Sequence, residues 1–218
     1  MPSQLPLFPL GTVLFPGMPL PLRIFERRYL RMLEDRPVVN PAFGIVLIRG
    51  GQEVGEIPQV ATIGTTANLE RVEARSDGTL EIEVMGGSRF AIEEIDWSGD
   101  YAVATVSGIS GTAAPAAATG PLLTETGAIF NRFVGSVAAL YDRRFSTWAE
   151  PDDPADAVYD LASRLPLHTW ERQAILEDQD TASQLREVNR LVRREFALLR
   201  AGTGGRVVNH PGGLFTSN

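Results

Sequence analysis

The sequence predicts an α+β protein, with a β-rich first half and a helical second half. Short apolar segments separated by proline and glycine continue to about Ile109, and apolar residues then recur at helical spacing to about Arg200. A stretch of small residues lies between the two patterns. We therefore divide the chain into a β-rich domain (1–110), a linker (111–120), a helical bundle with a long last helix (121–200) and a flexible tail (201–218).

The N-terminal stretch from Leu5 to Leu33 is apolar but rich in proline. Proline donates no backbone hydrogen bond, so these residues are expected to keep the strands short and their edges closed to pairing. A change to helical spacing after Ile24 predicts a helix with Phe25 on its apolar face. The predicted elements are strands at about Leu5–Leu10, Thr12–Phe15 and Leu20–Ile24, a turn at Pro16-Gly17 and a helix over Phe25–Leu33.

Alternating apolar and charged residues mark the centre of the β-rich half. Ile82 and Val84 alternate with glutamates, and the preceding Asp77-Gly78 is a hairpin turn signal. We interpret Gly86-Gly87 as a tight turn. A series of short strands of this kind predicts a small barrel or rolled sheet. The predicted strands are Phe43–Arg49, Gln59–Thr66, Ala67–Ala74, Thr79–Met85, Phe90–Ile95 and Tyr101–Val106.

Capping signals mark the starts of the helices predicted in the second half. Pro121 suits the first turn of one helix, and Asp153 followed by Pro154 suits the start of another. Thr169 is expected to cap a third helix, and Thr181–Gln184 has the pattern of a capping box. The predicted helices are Pro121–Tyr141, Pro154–Leu165, Trp170–Glu177 and Thr181–Arg200, with a loop over Asp142–Pro151.

The composition excludes several kinds of chemistry. The chain of 218 residues has no cysteine, which excludes disulfides, thiolate metal sites and cysteine nucleophiles. It also has no lysine, which excludes a P-loop lysine, a Schiff base and a Ser–Lys dyad. A net charge of −7 and a pI near 4.9 disfavour a phosphate-backbone partner. The chain lacks a long uncharged apolar run and a basic segment at its start, so we expect a soluble, cytoplasmic protein without a membrane partner.

No residue pattern in the sequence indicates a catalytic, cofactor or metal site. His168 and His210 lie in different settings and lack carboxylates at ligand spacing. The acidic stretch Glu150–Asp156 is better explained by helix capping than by a cation site. Ser88 lies beside glycines, but the Gly-x-Ser-x-Gly pattern of hydrolases is absent. We therefore predict no catalytic residue, no cofactor and no metal.

Apolar residues of the N-terminal stretch are the candidate binding residues. A flexible methionine and an aromatic residue beside a proline-blunted sheet edge can form a groove for extended or apolar polypeptide. The same side chains can instead form the core of the barrel, and both interpretations stay open at this point. The candidate polypeptide-binding residues are Phe15, Pro16, Met18, Leu20 and Phe25.

Several segments, in order along the chain, resemble one known family. Leu5–Leu22 (LPLFPLGTVLFPGMPLPL) and Ile24–Tyr29 (IFERRY) are similar to the opening of the Lon protease N-terminal (substrate-binding) domain, especially its stand-alone bacterial relatives. The resemblance extends over about residues 5–200. The further matching segments are Ile63–Thr65, Asp77–Thr79, Met85–Phe90, Leu161–Leu167 and Glu171–Glu177.

The resemblance implies a PUA-like pseudo-barrel followed by a helical bundle. In Lon, an ATPase module and a Ser–Lys protease module perform the catalysis, and this sequence has neither a Walker motif nor a lysine, so we expect a non-enzymatic protein. The resemblance further implies an adaptor or regulator in protein quality control. Its expected partners are unfolded or apolar polypeptide segments, with a protease or a chaperone as a further candidate.

Two other functions and a question of assembly stay open. PUA-like barrels elsewhere bind RNA, although the acidic charge disfavours a nucleic-acid partner here. A small-molecule enzyme based on carboxylates would need a deep polar pocket that encloses two acidic groups. The charged face of the predicted last helix can pack within the chain, which is the default, or between subunits of a homo-oligomer.

Overall fold

The computed structural model describes residues 3–35, 43–50, 57–112, 116–142 and 144–202. The chain forms two compact units, Met1–Ser110 and Gly111–Asn218. The described part of the first unit contains β1 (Ser3–Leu10), β2 (Pro19–Ile24), α1 (Arg27–Glu34), β3 (Phe43–Gly50), β4 (Gln59–Val60), β5 (Ile63–Ala74), β6 (Leu80–Asp96) and β7 (Val103–Gly108). That of the second unit contains α2 (Ala116–Tyr141), α3 (Pro154–Arg164), α4 (Thr169–Glu177) and α5 (Thr181–Arg200). The predicted α+β class is confirmed.

Five strands of the first unit close into a barrel. The sheet order is β1-β7-β6-β5-β3-β4, and β1 also pairs with β3, which joins the two ends of the five-strand path. The β1–β3 pair is parallel, with Leu7 opposite Gly44, whereas the other pairs are antiparallel. Inward-facing side chains fill the interior. One cluster of this core contains Leu7, Val46, Phe90, Ala102, Ala104 and Val106.

A three-stranded ribbon extends from the barrel. The first part of β6 pairs with β2 on one side and with β5 on the other, so Leu22, Ile82 and Val72 lie in one row across the three strands. Arg23, Glu81 and Glu73 lie in the neighbouring row. The ribbon therefore has an apolar face and a charged face, because successive side chains of a strand point to opposite sides.

The chain between β1 and β2 differs from the prediction. Thr12–Phe15 was expected to be a strand, but it forms none, so this prediction is wrong. Val13, Leu14 and Phe15 are nevertheless buried. The reason is that this segment packs through its side chains without forming a strand ladder. Its apolar character therefore indicates burial and not strand pairing.

The turn predicted at Gly86-Gly87 is also wrong, because both glycines lie inside β6. Gly86 lies where the loop before β2 crosses β6: Gly17 N donates to Gly86 O, and Gly86 N donates to Met18 O, each at 2.9 Å. A Cβ at Gly86 would lie only 2.0 Å from the Phe15 carbonyl oxygen. Glycine is therefore required here for close backbone approach and not for a turn.

The first helix is shorter than predicted. It begins at Arg27, and Tyr29, Met32 and Leu33 are buried as its spacing predicts. Phe25 lies before the helix and is exposed. The apolar spacing therefore locates the buried face of α1 correctly but places its start too early.

The helices of the second unit follow the predicted order, with shifted starts. α2 begins at Ala116, so part of the stretch 111–120 is helical and Pro121 lies inside the helix. Asp153 caps α3 as predicted and accepts a hydrogen bond from Ala155 N at 2.8 Å. The caps of α4 and α5 lie one residue earlier than predicted, at His168 and Asp180. Of the predicted tail, residues 203–218 lie outside the described residues.

Buried polar side chains join the helices of the second unit. The Arg172 guanidinium lies 3.4 Å from the carbonyl oxygens of Ala162 and Ser163, near the C-terminal end of α3, where a positive charge is favourable. Burial lowers the pKa of Arg172 to about 10. Gln184 of α5 donates to the Ile175 carbonyl at 2.8 Å. These contacts satisfy backbone groups at helix ends inside the bundle.

Trp148 fixes the loop between α2 and α3. Its indole nitrogen donates to Asp160 at 2.7 Å, and its backbone nitrogen donates to Asn131 at 2.6 Å. The indole ring lies so close to Gly127 that a Cβ there would be 2.3 Å from Cζ3. The loop is thereby held against both helices.

Candidate functional site

The structure separates the five predicted binding residues. Phe15, Met18 and Leu20 have relative exposures of 0%, 2% and 2% and belong to the core. Pro16 is half-buried, and Phe25 is 64% exposed. The sequence left open whether these residues form a groove or the core, and three of the five lie in the core. Of the five, Phe25 alone presents a large exposed apolar side chain.

The candidate site is an aromatic cleft on the first unit. Its volume is about 260 Å³. It lies between β1, α1 and the loop that joins β6 to β7, with Ile57 at its edge. The residues that line this aromatic cleft are Leu7, Pro9, Arg28, Tyr29, Ile57, Trp97, Gly99, Asp100, Tyr101 and Ala102.

Strand pairing brings the walls of the aromatic cleft together. β1 pairs with β7, with Leu5 opposite Ala104, and Leu7 N donates to Ala102 O at 2.9 Å. This pairing places the β6–β7 loop beside the first strand although the two are far apart in sequence. The cleft is therefore a product of the barrel topology.

A local turn positions Trp97 in the β6–β7 loop. The Asp96 carboxylate accepts a hydrogen bond from Ser98 N at 2.8 Å, which is the geometry of an Asx turn. Hydrogen bonds from Ser98 lower the pKa of Asp96. Trp97 packs partly against the barrel core, and its remaining surface lines the cleft.

Aromatic contacts support the opposite wall. The ring of Tyr29 lies 4.0 Å from that of Phe8, centroid to centroid, and the Arg28 guanidinium lies 4.7 Å from the Tyr29 centroid. Tyr101 donates a hydrogen bond to Asp35 at 3.4 Å. Burial, together with the negative charge of Asp35, raises the pKa of Tyr101. Tyr101 therefore stays protonated at neutral pH and keeps its apolar ring in the cleft.

Some of the charged groups around the aromatic cleft are paired, and Asp100 adds a carboxylate to its lining. Arg28 donates to Glu26 at 2.9 Å, and Arg31 of the adjoining depression donates to Asp35 at 3.2 Å. The surface that the cleft offers to a ligand combines aromatic and aliphatic side chains with polar groups in about equal share. This arrangement can bind an apolar side chain, and the lining residues contain no nucleophile–base pair.

The carboxylates on the charged face of the ribbon do not resemble an acid–base site. Glu73, Glu81 and Glu83 line a shallow depression of about 420 Å³ together with two arginines. Arg75 forms a hydrogen bond with Glu81, which lowers the pKa of Glu81. A general acid at neutral pH needs a raised pKa. This face is therefore a set of surface ion pairs.

Two further features are absent from the described part of the chain. No group of three or more His, Asp or Glu side chains there is arranged to hold a metal ion. None of the helices described is long and apolar enough to cross a membrane.

Sequence reasoning missed the aromatic cleft. Trp97 and Tyr101 flank the turn residues Ser98–Asp100, and aromatic side chains in a loop are a signal for binding. The remaining wall comes from β1 and α1, whose position beside this loop depends on non-local strand pairing. That part carries no local sequence signal.

The closed barrel and the helical unit define the class as a two-unit α+β protein, with an aromatic cleft on its first unit. The family model described as "ATP-dependent protease La (LON) substrate-binding domain" matches residues 4–194. This chain belongs to that family. The match is to the substrate-binding domain and not to a catalytic module.

Individual relatives agree with the family match. Lon protease 2 of Syntrophobacter fumaroxidans is 27% identical over 202 residues, which are 91% of this chain but 25% of that protein. Lon protease 2 of Herpetosiphon aurantiacus is 29% identical over 205 residues, 90% of this chain and 24% of that protein. This chain thus spans about a quarter of the length of these curated relatives.

Two solved structures share the fold. A Lon N-terminal domain protein from Xanthomonas campestris has a TM-score of 0.63 and 28% identity, covering 85% of this chain and 96% of that one. The N-terminal domain of Mycobacterium avium complex Lon protease has a TM-score of 0.65 and 15% identity, covering 88% and 98%. The second likeness, at its low identity, concerns the fold alone.

Proposed function

We propose that this chain is a non-enzymatic module that recognises unfolded or apolar polypeptide segments, and that the aromatic cleft receives one of their apolar side chains. The family supports this proposal, because the substrate of a protease is a polypeptide and the matched model is the substrate-binding domain. The observation that carries it is the cleft itself, with Trp97, Tyr101 and Ile57 around an apolar floor.

The size of the aromatic cleft favours a side chain over a small-molecule substrate. Pockets for small molecules usually have volumes of about 300–1,000 Å³. The volume of about 260 Å³ lies below this range and suits a single aliphatic or aromatic side chain of an extended segment. Aromatic walls provide a large contact area at a small cost in side-chain entropy.

The proposed biological role is that of an adaptor or regulator in protein quality control, in the cytoplasm. A module that binds exposed apolar segments selects unfolded over folded proteins, because folded monomers expose few large apolar patches. A protease or chaperone that handles the bound chain is the partner that this role requires.

A nucleic-acid partner is less well supported. The exposed arginines of the ribbon alternate with carboxylates, as in the pairs Arg23–Asp77 and Arg71–Glu73. Binding to a phosphate backbone needs clustered positive charge. A salt-dependent mobility shift with single-stranded or structured RNA would favour this second function.

Calorimetric titration with denatured proteins and apolar peptides tests the proposal. Ile57 is 70% exposed and lines the cleft, so Ile57→Asp adds a charge there with little disturbance of the core. Placing a charge against an apolar side chain is expected to cost about 2 kcal/mol, which raises Kd about thirty-fold. The matched control is Trp170→Ala, because Trp170 is a large, 65% exposed side chain of the second unit.

Two results would contradict the proposal. One is a folded wild-type protein that binds none of the peptides. The other is peptide binding that Ile57→Asp leaves unchanged while Trp170→Ala weakens it, since that would place binding on another surface. Circular dichroism of each variant establishes that it is folded.

A further inference from the structure

The outer edge of β5 is a second surface with a definite chemistry. β5 pairs with β3 only over Thr65–Ala67 in the described residues, whereas its pairing with β6 continues to Ala74. The segment Asn68–Ala74 therefore has β6 on one side and no described strand on the other. Such an edge is a template for pairing with another chain.

The direction of the backbone groups on this edge follows from the hairpin. Arg75 N donates to Thr79 O at 2.9 Å, so the backbone of Arg75 faces the neighbouring strand. Backbone groups alternate in direction along a strand, so those of Glu73 and Arg71 face β6 as well. The N–H and C=O groups of Val72 and Ala74 consequently point outward.

The opposite edge of the ribbon is chemically different. On β2, Pro19 and Pro21 have no N–H group. Gly86 N donates to Met18 O, so the backbone groups of Met18 point toward β6. Because the direction alternates along a strand, the backbone groups of Leu20 and Leu22 point toward β6 as well. The outward positions of β2 are thus occupied by prolines and Arg23. The β2 edge is poor in donors and the β5 edge retains them, so strand addition is possible at β5.

The side chains of the β5 edge are complementary to a second copy of the same edge. If two such edges run antiparallel about a two-fold axis at Val72, then Arg71 lies opposite Glu73 of the other copy, and Glu73 lies opposite Arg71. Both side chains lie on the charged face, where they also form an ion pair with each other within one chain. Opposite charges directly across a ladder are stabilising, and like charges are destabilising.

The apolar face is complementary in the same arrangement. Val72 is 46% exposed and would pack against its own symmetry mate. A hydrogen-bonded Val72–Val72 pair uses the outward N–H and C=O groups of both copies. The irregular register between Leu69 and Arg71 limits the regular edge to a few residues, which predicts a reversible and not a permanent assembly.

We propose that two copies of this chain associate through the β5 edge, antiparallel about Val72, with reciprocal Arg71–Glu73 ion pairs. The two ribbons then form one continuous six-stranded sheet. The partner is a second copy because the sequence Arg-Val-Glu pairs opposite charges with itself in this register, which an arbitrary foreign strand does not do.

Sedimentation of the full chain over a range of concentrations tests the proposal. Arg71→Glu places Glu opposite Glu73, and Glu73→Arg places Arg opposite Arg71, so each single reversal is expected to weaken dimerisation about thirty-fold. The double variant R71E/E73R restores opposite charges across the interface and is expected to restore dimerisation to within about three-fold of the wild type. Val72→Pro removes the outward N–H without removing a bond to β6 and is expected to abolish dimerisation.

Four outcomes would overturn the proposal. One is a wild-type protein that is monomeric at every concentration. Another is a dimer that persists in a folded Val72→Pro variant. The third is a double variant that dimerises no better than the single reversals, because the reciprocal pairing predicts a rescue. A wild-type monomer that instead acquires a foreign peptide as an added strand also overturns it.

Discussion

Replacing Gly86 by alanine tests how the loop before β2 is held against β6. A Cβ built on Gly86 would lie 2.0 Å from the carbonyl oxygen and 2.9 Å from the carbonyl carbon of Phe15. Both atoms belong to the backbone, so the clash is relieved only if the chain around Phe15 moves. That movement separates Gly86 from Gly17 and Met18, with which it shares two backbone hydrogen bonds.

The expected loss of stability follows from these contacts. Each lost hydrogen bond costs about 1 kcal/mol, and the disturbed packing of the buried Phe15 ring adds at least about 1 kcal/mol. The free energy of unfolding of the first unit is therefore expected to fall by about 3 kcal/mol. For a unit of this size, that lowers Tm by roughly 12 °C.

Differential scanning calorimetry measures this effect. The matched control is Gly108→Ala, because a Cβ at Gly108 meets no atom within 4 Å. Its free energy of unfolding is expected to stay within about 0.5 kcal/mol of the wild type. A Gly86→Ala protein that unfolds within about 2 °C of the wild type would refute the close approach of Phe15 to β6.

Two further predictions concern the second unit. In α2, Gly135→Ala is expected to raise the free energy of unfolding by about 0.5–1 kcal/mol, because Gly135 is exposed and a Cβ there meets no atom. Gly127→Ala is expected to lower the free energy of unfolding, because the new Cβ meets the Trp148 ring. Urea unfolding that reverses this order would contradict the packing of Trp148. Burial raises the pKa of Glu171, but hydrogen bonds from Arg194 and His168 N–H outweigh it and keep the pKa below its ordinary value. Glu171 therefore stabilises the fold fully above about pH 4.3, and this stabilisation is lost as the pH falls through the lowered pKa. The difference in free energy of unfolding between the wild type and Glu171→Gln is expected to narrow over the same fall in pH. A difference that does not change with pH would refute this role of Glu171.

The elements best predicted from the sequence are those with strong local signals. The Asp77-Gly78 turn and the alternation after it locate the β5–β6 hairpin, because turn chemistry and side-chain alternation are local. Asp153 followed by Pro154 locates the start of α3 for the same reason. The family resemblance was likewise carried by contiguous motifs, and the match over residues 4–194 confirms it.

The parts that failed depend on contacts between distant segments. Gly86-Gly87 has the composition of a turn, and its role becomes visible only when the loop carrying Phe15 crosses β6. Phe15, Met18 and Leu20 are apolar, which is compatible with a groove as well as with a core, and the structure places all three in the core. The aromatic cleft depends on the pairing of β1 with β7 and has no contiguous motif.

The indole N–H signals in an isotope-edited NMR spectrum test most directly whether the aromatic cleft binds polypeptide. The protein has three tryptophans, so Trp97 reports on the cleft while Trp148 and Trp170 serve as internal references. On titration with an unfolded, apolar peptide, binding at the cleft is expected to shift the Trp97 signal until it saturates, while the other two signals stay in place. Saturable peptide binding that leaves the Trp97 signal unmoved would contradict it.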